Sequence, residues 1–394
     1  GAIPNFIDAF FEMCSGYSTT GSTIIPDVES LPRSILFFRS LTHWIGGMGI
    51  IVFGTALLPS LGINGQLVAN AETPGPTADK ISARYSDHSK KLYLLYFAFT
   101  IAEIVLLFFA GMSPFDSMIH TFGTVGTGGF SSYNNSVAHF ASPAIHWIII
   151  IFMILCGTNF NLFFDIPKKG LKALTHDEEF RLYIKILGIC TILITISLML
   201  NGVIKNPFTS LTAAAFQTSS IMTTTGYATK DYDQWPAFAK CVLLIVFLSG
   251  ACSSSTGGGP KIVRITVALK LIRRQVAKKL HPKRVYPLNY NGRPIPQEVA
   301  TNISNFILFY IFVFFMGCLL VSLEGKDIVT TFSAVITCLG NIGPGFAKVG
   351  PTCNFSCMSY FSKFVLSILM IAGRLELFTV FVLFSPKYWN SNRG

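Results

Sequence analysis

The sequence predicts an all-α polytopic membrane protein made of four span–pore helix–span repeats, with pseudo-fourfold symmetry around one pore. Two observations lead to this fold class. The 394 residues are 51% hydrophobic and only 12% charged, whereas an average soluble domain carries about 25% charged residues. In addition, four short polar segments that contain glycine recur along the chain, and a long apolar run follows each of them.

The four polar segments are spaced regularly enough to indicate an internal repeat. Their central glycines, taken as Gly21, Gly128, Gly226 and Gly343, are separated by 107, 98 and 117 residues. Such a period in an apolar chain predicts four copies of one membrane unit around an axis. Backbone loops that face an axis can replace the hydration shell of a cation, so the pattern predicts an ion pore. We call these segments loops 1 to 4: Ser18–Ser22, Gly126–Phe130, Thr223–Tyr227 and Gly340–Pro344.

Long apolar runs give the membrane spans, because about 20 apolar residues cross a bilayer as a helix. The longest polar stretch, 273–300, contains several prolines and is predicted to be a loop. No segment remains that is long enough for a globular domain. The candidate spans are 34–58, 92–111, 144–166, 181–201, 236–272 with an interruption, 303–323 and 361–385.

The spans and loops together predict where each repeat begins and ends. Repeat 1 starts directly with a pore helix at Asn5–Ser15, and we expect that its first span is missing from this sequence rather than lost from the fold. The predicted divisions are 1–58 for repeat 1, 59–91 for a cytoplasmic loop, 92–166 for repeat 2, 167–180 for a cytoplasmic linker, 181–272 for repeat 3, 273–302 for a basic cytoplasmic loop, and 303–394 for repeat 4.

A short segment precedes each polar loop and is predicted to be a half-helix. The segments 114–125, 207–223 and 327–339 are too short to cross a bilayer. They begin with helix-start signals, namely Ser113-Pro114, Asn206-Pro207 and an aspartate at 327. A half-helix that returns through an irregular loop is tolerated at membrane depth only where the loop lines water or protein. Each segment is therefore predicted to be a pore helix.

The basic residues report the orientation of the chain. The net charge is +11, and the segments 80–91, 167–185 and 261–293 hold 19 Lys and Arg. The intervening loops between the spans hold five. The positive-inside rule places the first set in the cytoplasm. The positive charge is therefore explained by topology, and nucleic acid is not expected as a partner.

The four loops are predicted to coordinate a monovalent cation through backbone carbonyl groups. Glycine adopts positive φ without steric cost and helps to turn successive carbonyls towards one axis. The loops contain no acidic side chain, so carbonyl oxygens are the expected ligands. Taken singly, a Thr-Thr-Gly string is equally typical of a simple turn between helices. The candidate residues are Thr19, Thr20, Gly21, Gly126, Thr127, Gly128, Thr224, Thr225, Gly226, Asn341, Ile342 and Gly343.

The second notable site is a break in the span 236–272. Eleven small residues and a proline fill positions 249–260, and they cannot form a stable helix inside the membrane. Irregular backbone at this depth should line a cavity, although a close-packing break between helices is an alternative. Phosphate binding is a third reading, but the full G-x-x-x-x-G-K-[ST] pattern is absent because Pro260 and Ile262 flank Lys261.

Among the charged residues within the predicted spans, Arg374 and Glu103 are the ones of interest. Arg374 is in the last span, and a charge there is usually functional because it is costly to insert. A fixed positive charge beneath the predicted cation-binding loops would repel the ion, whereas a structural ion pair or snorkelling is the alternative. Glu376 is a poor local partner because residues two apart on a helix do not face each other. Glu103 is expected to face other helices rather than the pore.

The chain resembles the Trk/Ktr/HKT superfamily of potassium transporters, and within it the bacterial TrkH type of potassium-translocating subunit. The resemblance covers essentially the whole chain, and the four family glycine positions are glycine here. Besides loops 1, 3 and 4, the strings that carry the resemblance are His43-Trp44-Ile45-Gly46-Gly47-Met48-Gly49, Ser255-Thr256-Gly257-Gly258-Gly259, and Ala372-Gly373-Arg374-Leu375-Glu376-Leu377-Phe378.

The resemblance implies potassium uptake across the bacterial inner membrane, with K⁺ held at the filter carbonyls and no organic cofactor. Gly21 favours potassium, since serine at that position goes with sodium transport in the family. The resemblance also implies a homodimer and a cytosolic nucleotide-binding ring similar to TrkA, docking near the basic segment Lys270–Arg284; anionic lipid is the other partner that this segment suits. The implied gate consists of Ser253, Ser254, Ser255, Thr256, Gly257, Gly258, Gly259 and Arg374.

Two other functions remain open from the sequence alone. A symporter that couples potassium to sodium or protons fits the same scaffold, although no pore-lining carboxylate is obvious. A membrane-embedded hydrolase would use the serines at 253–255, but the histidines fall at span ends or in loops. Most of the nine cysteines lie in apolar runs and are expected to be buried thiols. Cys353 and Cys357 lie in an outside loop, where a disulfide between them is possible.

Overall fold

The structure, a computed structural model, describes residues 3–57, 85–375 and 377–382. Within these residues the chain is mostly helical, and the helices are described in four groups according to the predicted repeats. The all-α polytopic fold class is thereby confirmed. The helices of the first two groups are α1 (Phe6–Tyr17), α2 (Arg33–Leu57), α3 (Tyr85–Phe109), α4 (Pro114–Val125), α5 (Pro143–Cys156), α6 (Phe160–Lys169) and α7 (Lys172–His176).

The third and fourth groups complete the fold. The elements of this half are α8 (Glu178–Leu200), α9 (Pro207–Met222), α10 (Ala237–Phe247), α11 (Ile262–Leu280), strands β1 (Asn289–Tyr290) and β2 (Arg293–Pro294), α12 (Gln297–Ser322), α13 (Ile328–Leu339), α14 (Tyr360–Arg374) and α15 (Leu377–Val382). Short 3₁₀ turns at Ser136–His139, Tyr232–Gln234, Ala347–Val349 and Phe355–Cys357 lie in the connections.

The first helices of groups two to four form apolar outer walls. Among the described residues, three helices are long and apolar enough to cross a membrane: Ser89–Phe109 within α3, α8 and α12. At most a third of their apolar windows is buried inside the protein. Large side chains such as Ile192 and Phe312 are more than half exposed, as expected for helices that contact lipid on one side.

The second helix of each group is interrupted, and the sequence predicted only one of these breaks. In place of a continuous span at 144–166, α5 and α6 are bent by 89°. Gly157 caps the C-terminus of α5, and the Asn159 side chain accepts a bond from the N–H of Asn161 to start α6. The span 361–385 is likewise divided, since α14 ends at Arg374. Helix α2 has a non-helical residue at Gly49, whose φ is 72°.

Four short helices lie where pore helices were predicted, namely α1, α4, α9 and α13. Their N-cap residues are Asn5, Ser113, Asn206 and Asp327, and each side chain accepts a hydrogen bond from a backbone N–H of the first turn. These caps satisfy amide groups that the helix itself leaves unpaired. The bonds from Thr330 hold the pKa of Asp327 below its ordinary value.

The pore helices form the centre of the molecule. In α9, Ser210 and all residues from Thr212 to Met222 are buried. Hydroxyl groups on these helices bond to carbonyls of the preceding turn, as Ser219 does to Ala215 at 2.8 Å and Thr337 does to Ser333 at 2.8 Å. These local bonds satisfy the hydroxyl groups that make them, whereas the buried side chains of Gln217 and Thr218 on α9 have no hydrogen-bond partner.

The basic cytoplasmic segment is more ordered than predicted. Helix α11 continues to Leu280, so the first part of 273–302 is helix and not loop. A two-stranded hairpin follows, with Asn291 and Gly292 at its tip and φ values of 47° and 75°. Asn-Gly is the preferred pair for a two-residue hairpin turn. The predicted loop at 59–91 lies mostly outside the described residues, as does Glu376.

Candidate functional site

Loops 1 to 4 leave the C-termini of the four pore helices with the same backbone conformation. The second residue of each loop has left-handed backbone, which is unusual for a residue with a side chain. The fourth residue is a glycine with positive φ. The φ values are 56°, 54°, 59° and 54° at Thr19, Thr127, Thr224 and Asn341, and 82°, 78°, 83° and 100° at Gly21, Gly129, Gly226 and Gly343.

The amide groups of these loops point back to the pore helices. The N–H of Thr20 donates to the carbonyl of Ser15 at 2.9 Å, and the N–H of Thr19 donates to Gly16 at 3.1 Å. In loops 2, 3 and 4, the N–H of the third residue makes the equivalent bond at 2.8 Å. Gly128 donates to the carbonyl of Gly123, Thr225 to that of Ser220, and Ile342 to that of Thr337. Because the amides are satisfied from behind, the loop carbonyls are left for other contacts.

The conformation corrects the predicted alignment of loop 2. Gly126 is the C-cap of α4, in the position that Ser18, Thr223 and Gly340 occupy in the other loops. The glycine equivalent to Gly21 is therefore Gly129 and not Gly128. The sequence offered two adjacent glycines, and only backbone geometry distinguishes them. The equivalent triplet in this loop is Thr127, Gly128 and Gly129.

The four loops close into a ring in which each glycine faces a carbonyl of the next loop. A Cβ atom added to Gly21 would lie 2.0 Å from the carbonyl oxygen of Gly128, so no side chain fits there. The arrangement repeats around the ring. A Cβ atom added to Gly129 would lie 2.0 Å from the carbonyl oxygen of Thr225, one added to Gly226 would lie 2.2 Å from that of Ile342, and one added to Gly343 would lie 2.7 Å from that of Thr20. The predicted residues of all four loops are thus brought together.

Side chains also join the first and last loops. The Asn341 amide Nδ2 donates to Thr20 Oγ1 and to the carbonyl of Met370, both at 2.9 Å. The hydroxyl of Ser22 donates to the carbonyl of Gly343 at 3.1 Å. These bonds fix loop 4 against loop 1, which are the most distant loops in the sequence.

Loop 2 is supported from behind by His43. The imidazole ring stacks on Phe130 with centroids 4.0 Å apart, and its Nδ1 accepts a bond from the Phe130 N–H at 3.3 Å. A Cβ on Gly128 would lie 2.3 Å from the ring. His43 entered the sequence analysis only as part of a resemblance string, and its supporting role was not predicted.

A buried ion pair that was not predicted supports loop 1. Arg39 on α2 lies 2.8 Å from Glu12 on α1, and both side chains are almost fully buried. Glu12 also accepts bonds from the hydroxyl of Thr23 and the N–H of Ile24, both at 3.0 Å. The guanidinium of Arg39 lies 4.1 Å from the centre of the Phe130 ring. This pair therefore connects the segments that follow loops 1 and 2.

On one side of the ring lies a cavity of about 130 Å³. Its lining includes Gly21, Gly129, Gly226 and Gly343, so all four loops open into it. Cys353 also contributes to the lining, and both Cys353 and Cys357 are exposed free thiols. The possible disulfide between them is absent from the structure.

On the other side lies the segment Ser249–Pro260, which we call the intramembrane loop. The carbonyl of Thr256 accepts a bond from Thr127 Oγ1 at 2.7 Å, and the N–H of Gly258 donates to Thr224 Oγ1 at 2.6 Å. A Cβ on Gly258 would meet the Asn341 side chain at 2.8 Å. The intramembrane loop thus contacts loops 2, 3 and 4 directly.

Arg374 joins the intramembrane loop to α2. Its Nη1 donates to the same Thr256 carbonyl at 2.8 Å, and its Nη2 donates to the carbonyls of Gly46 and Gly47 at 2.7 and 3.2 Å. The Arg374 guanidinium and the Thr127 hydroxyl therefore donate to the same carbonyl oxygen, that of Thr256. These bonds place Arg374 against the intramembrane loop and α2, and its role as a barrier to the ion stays a prediction.

The intramembrane loop packs against the bend between α5 and α6 and is hydrogen-bonded to it. The N–H of Cys252 donates to the carbonyl of Gly157 at 3.0 Å, and the N–H of Phe160 donates to the carbonyl of Ser254 at 3.0 Å. The hydroxyl of Thr256 donates to the carbonyl of Cys156 at 3.2 Å. The break in the helix exposes the backbone groups that these bonds need.

The buried Glu103 and two serines of the intramembrane loop, Ser253 and Ser255, differ in how their polar side chains are satisfied. Glu103 is fully buried, and neither carboxylate oxygen has a hydrogen-bond partner. The Ser253 hydroxyl donates to the Glu179 carboxylate at 2.7 Å, and the Ser255 hydroxyl donates to the carbonyl of Cys252 at 2.6 Å. In the part of the chain that the structure describes, no group of His, Cys, Asp or Glu residues is arranged to hold a metal ion.

Comparison with known proteins gives concordant results. A family model described as TrkH, a cation transport protein, matches residues 1–391. The Trk system potassium uptake protein TrkH of Salmonella typhimurium is 38% identical over 384 residues, which are 97% of this chain and 79% of that protein. The potassium uptake protein TrkG of Escherichia coli K12 is 34% identical over 388 residues, covering 98% of this chain and 79% of that protein.

A solved structure agrees with these sequence matches. The crystal structure of the potassium transporter TrkH from Vibrio parahaemolyticus superposes with a TM-score of 0.86 at 35% identity, covering 98% of this chain and 79% of that chain. From the family model, the relatives and the common fold, this chain belongs to the TrkH family of cation transport proteins.

Proposed function

We propose that this protein takes up potassium across the bacterial inner membrane, as a multi-pass protein with one potassium-selective pore formed by loops 1 to 4. The observation that carries this proposal is the closed ring of Thr20, Gly128, Thr225 and Ile342 carbonyls against the four glycines. The TrkH and TrkG relatives bear the name of potassium uptake proteins, which supports the same ion.

Carbonyl coordination suits a monovalent cation in this ring. Backbone oxygens can replace the water that the ion loses on entry, and they carry no net charge that would hold it too tightly. The loops contain no Asp or Glu. Potassium is therefore proposed as the transported ion, held at the carbonyls of the four triplets, with Gly129 replacing Gly126 in the predicted set.

The proposed barrier to conduction is the intramembrane loop together with Arg374. The loop lies against three of the four coordinating loops, through Thr127, Thr224 and Asn341. The Arg374 guanidinium adds a positive charge beneath them. At an effective dielectric constant of about 20, a unit charge 4 Å from a cation costs on the order of 4 kcal/mol. The loop would have to move for potassium to pass at a useful rate.

Coupled symport is the closest rival to a channel-like pore. It would require a site where sodium or a proton binds together with potassium, and no carboxylate belongs to the coordinating loops. A hydrolase is a weaker rival, because the hydroxyls of Ser253 and Ser255 are hydrogen-bonded within the packed intramembrane loop. As partners we propose a second copy of the chain and a cytosolic nucleotide-binding ring similar to TrkA.

Ion flux into proteoliposomes tests the function. We expect uptake of potassium, with sodium and lithium excluded, and a rate that follows the potassium gradient and the membrane potential alone. Equal sodium and potassium flux would contradict the selective ring. Potassium flux that requires an inward sodium or proton gradient would contradict the uncoupled pore and favour symport.

A further inference from the structure

Three consecutive acidic residues at the start of α8 connect elements that are far apart in the sequence. Glu179, which is 1% exposed, accepts hydrogen bonds from the N–H and the hydroxyl of Ser253, at 2.6 and 2.7 Å. It also accepts a bond from the N–H of Val263 at 3.0 Å. One carboxylate therefore binds both the middle of the intramembrane loop and the first turn of α11.

The two residues before Glu179 bind the outer parts of the same cytoplasmic region. Glu178 forms an ion pair with Lys270 on α11, and the Lys270 ammonium also donates to the carbonyl of Asn289 at 2.6 Å. Asp177 accepts a bond from the Asn291 side chain at 2.7 Å, at the tip of the hairpin. The start of α8 is thus bonded to the intramembrane loop, to α11 and to the hairpin.

We infer that Glu179 is a positioning residue that holds the intramembrane loop in its closed place, and that α8 transmits movement of α11 to this loop. The inference rests on the proposed function, in which the loop is the barrier. The three donors meet one carboxylate, and bonds to a charged acceptor are stronger than neutral ones. Helix α11 cannot separate from α8 without breaking the Val263 bond, and the same carboxylate holds Ser253.

The Glu179 carboxylate is thus a hydrogen-bond acceptor that the intramembrane loop and α11 share. A force on α11 or on the hairpin acts on α8 through Lys270 and Asn291, and on Glu179 through Val263. If Glu179 shifts, the N–H and hydroxyl of Ser253 lose their partner together. An unpaired buried donor is unfavourable, so the loop should then move to find new partners. Loop position and α11 position are coupled by this single side chain.

Replacing Glu179 by Gln tests the inference. The amide keeps the size of the side chain but has one acceptor oxygen instead of two and no charge. We expect potassium flux in proteoliposomes without any cytosolic partner to rise about tenfold, which corresponds to the loss of roughly one charge-assisted hydrogen bond. The ratio of potassium to sodium flux should not change, because loops 1 to 4 do not contact Glu179 in the hydrogen bonds described above.

A second readout follows the loop directly. Cys252 lies within the intramembrane loop and is fully buried. N-ethylmaleimide labelling of Cys252, located by peptide mass spectrometry, should be faster in Glu179→Gln, whereas labelling of the buried Cys338 should stay at the wild-type rate. Asp165→Asn is the matched control, since it makes the same chemical change in an exposed ion pair with Lys169 and should alter neither readout.

Ser253→Ala provides a milder variant in case Glu179→Gln is unstable. It removes one donor and leaves the carboxylate bonded to two N–H groups, so a smaller rise in flux and in Cys252 labelling is expected. Wild-type flux and labelling in folded Glu179→Gln and Ser253→Ala would overturn the inference. If deleting Ser253–Gly259 raises flux while these two variants do not, the loop remains the barrier and the role of Glu179 is wrong. If the deletion also fails to raise flux, the barrier itself is wrong.

Discussion

At the residue scale, the glycine of each loop is required for two independent reasons. Its φ is positive, a conformation that other residues adopt at a cost. The place of its Cβ is also occupied, since the carbonyl of the next loop lies within 2.0 to 2.7 Å. A substitution therefore displaces a carbonyl that belongs to a different repeat, and the damage spreads to the neighbouring loop.

The first prediction concerns Gly129, the glycine that replaces Gly128 in the corrected alignment. Gly129→Ala should lower the ratio of potassium to sodium flux about tenfold, because the added methyl group displaces the Thr225 carbonyl. A tenfold change corresponds to the free energy of about one hydrogen bond. Gly21→Ser should act in the same direction through Gly128. Gly188→Ala is the control, since no atom lies within 4 Å of its added Cβ. An unchanged flux ratio in folded Gly129→Ala would refute the ring as the selective element.

The second prediction concerns Arg374. Arg374→Ala should raise potassium flux, because it removes a positive charge beneath the ring and a bond that holds Thr256. Arg374→Lys keeps the charge but cannot donate to Thr256 and Gly46 in the same planar fork, so it separates charge from positioning. Flux and thermal stability should be measured together. A less stable Arg374→Ala protein with no gain in flux would identify a purely structural residue.

The residues of the site could be predicted only as far as their pattern repeats. The four polar strings were recognisable because they recur with similar composition and spacing. Gly128 and Gly129 could not be ranked, since both are glycine and only the backbone conformation shows which one takes positive φ. The roles of Glu12, Arg39 and Glu179 were not predicted, because single charged residues carry no periodic signal.

At the element scale, the interruptions of the second helices decide the architecture around the ring. The break at 249–260 was predictable, since eleven small residues and a proline cannot sustain a helix. The 89° bend between α5 and α6 was not, because apolar residues resume at Phe160 after the Gly157 to Asn159 stretch and continue to Phe164 with Asn161 as the one exception. The hairpin could have been found from its Asn291-Gly292 pair.

The third prediction concerns the intramembrane loop as a unit. Deleting Ser253–Gly259 should raise basal potassium flux and weaken control by a cytosolic partner, because the deletion removes the bonds to Thr127 and Thr224 beneath the ring. Flux should be compared with and without the partner in proteoliposomes. A well-folded deletion protein that conducts no potassium would show that the segment is needed for packing rather than for closure.

At the scale of the whole molecule, the surplus of positive charge lies on one side. Arg273, Lys278 and Lys279 are exposed on the last turns of α11, and this helix leads directly from the intramembrane loop. The sequence alone left anionic lipid and a protein partner as alternatives for this surface. Its connection to the loop through Glu179 favours a partner whose binding moves α11.

The fourth prediction therefore concerns this basic surface. Changing Arg273, Lys278 and Lys279 together to Gln should reduce the stimulation of flux by a nucleotide-binding ring similar to TrkA, and leave basal flux unchanged. Stimulation should be titrated at low and high salt, because interactions between exposed charges are screened by salt. Full stimulation of the triple variant would exclude this surface as the docking site, and a dependence on anionic lipid would assign it to the membrane.

The bonds between loop 4 and loop 1 have a consequence for how the protein is made. Asn341 and Thr20, like Gly343 and Ser22, are 321 residues apart. A chain emerging from the ribosome therefore carries loop 1 in the membrane long before its neighbour on one side exists. Until α13 is inserted, the Thr20 carbonyl has no Gly343 to face. In the proposed function, the ability to discriminate between ions would arise only when the last repeat is in place, and a chain truncated before Gly343 would leave an incomplete ring in the membrane.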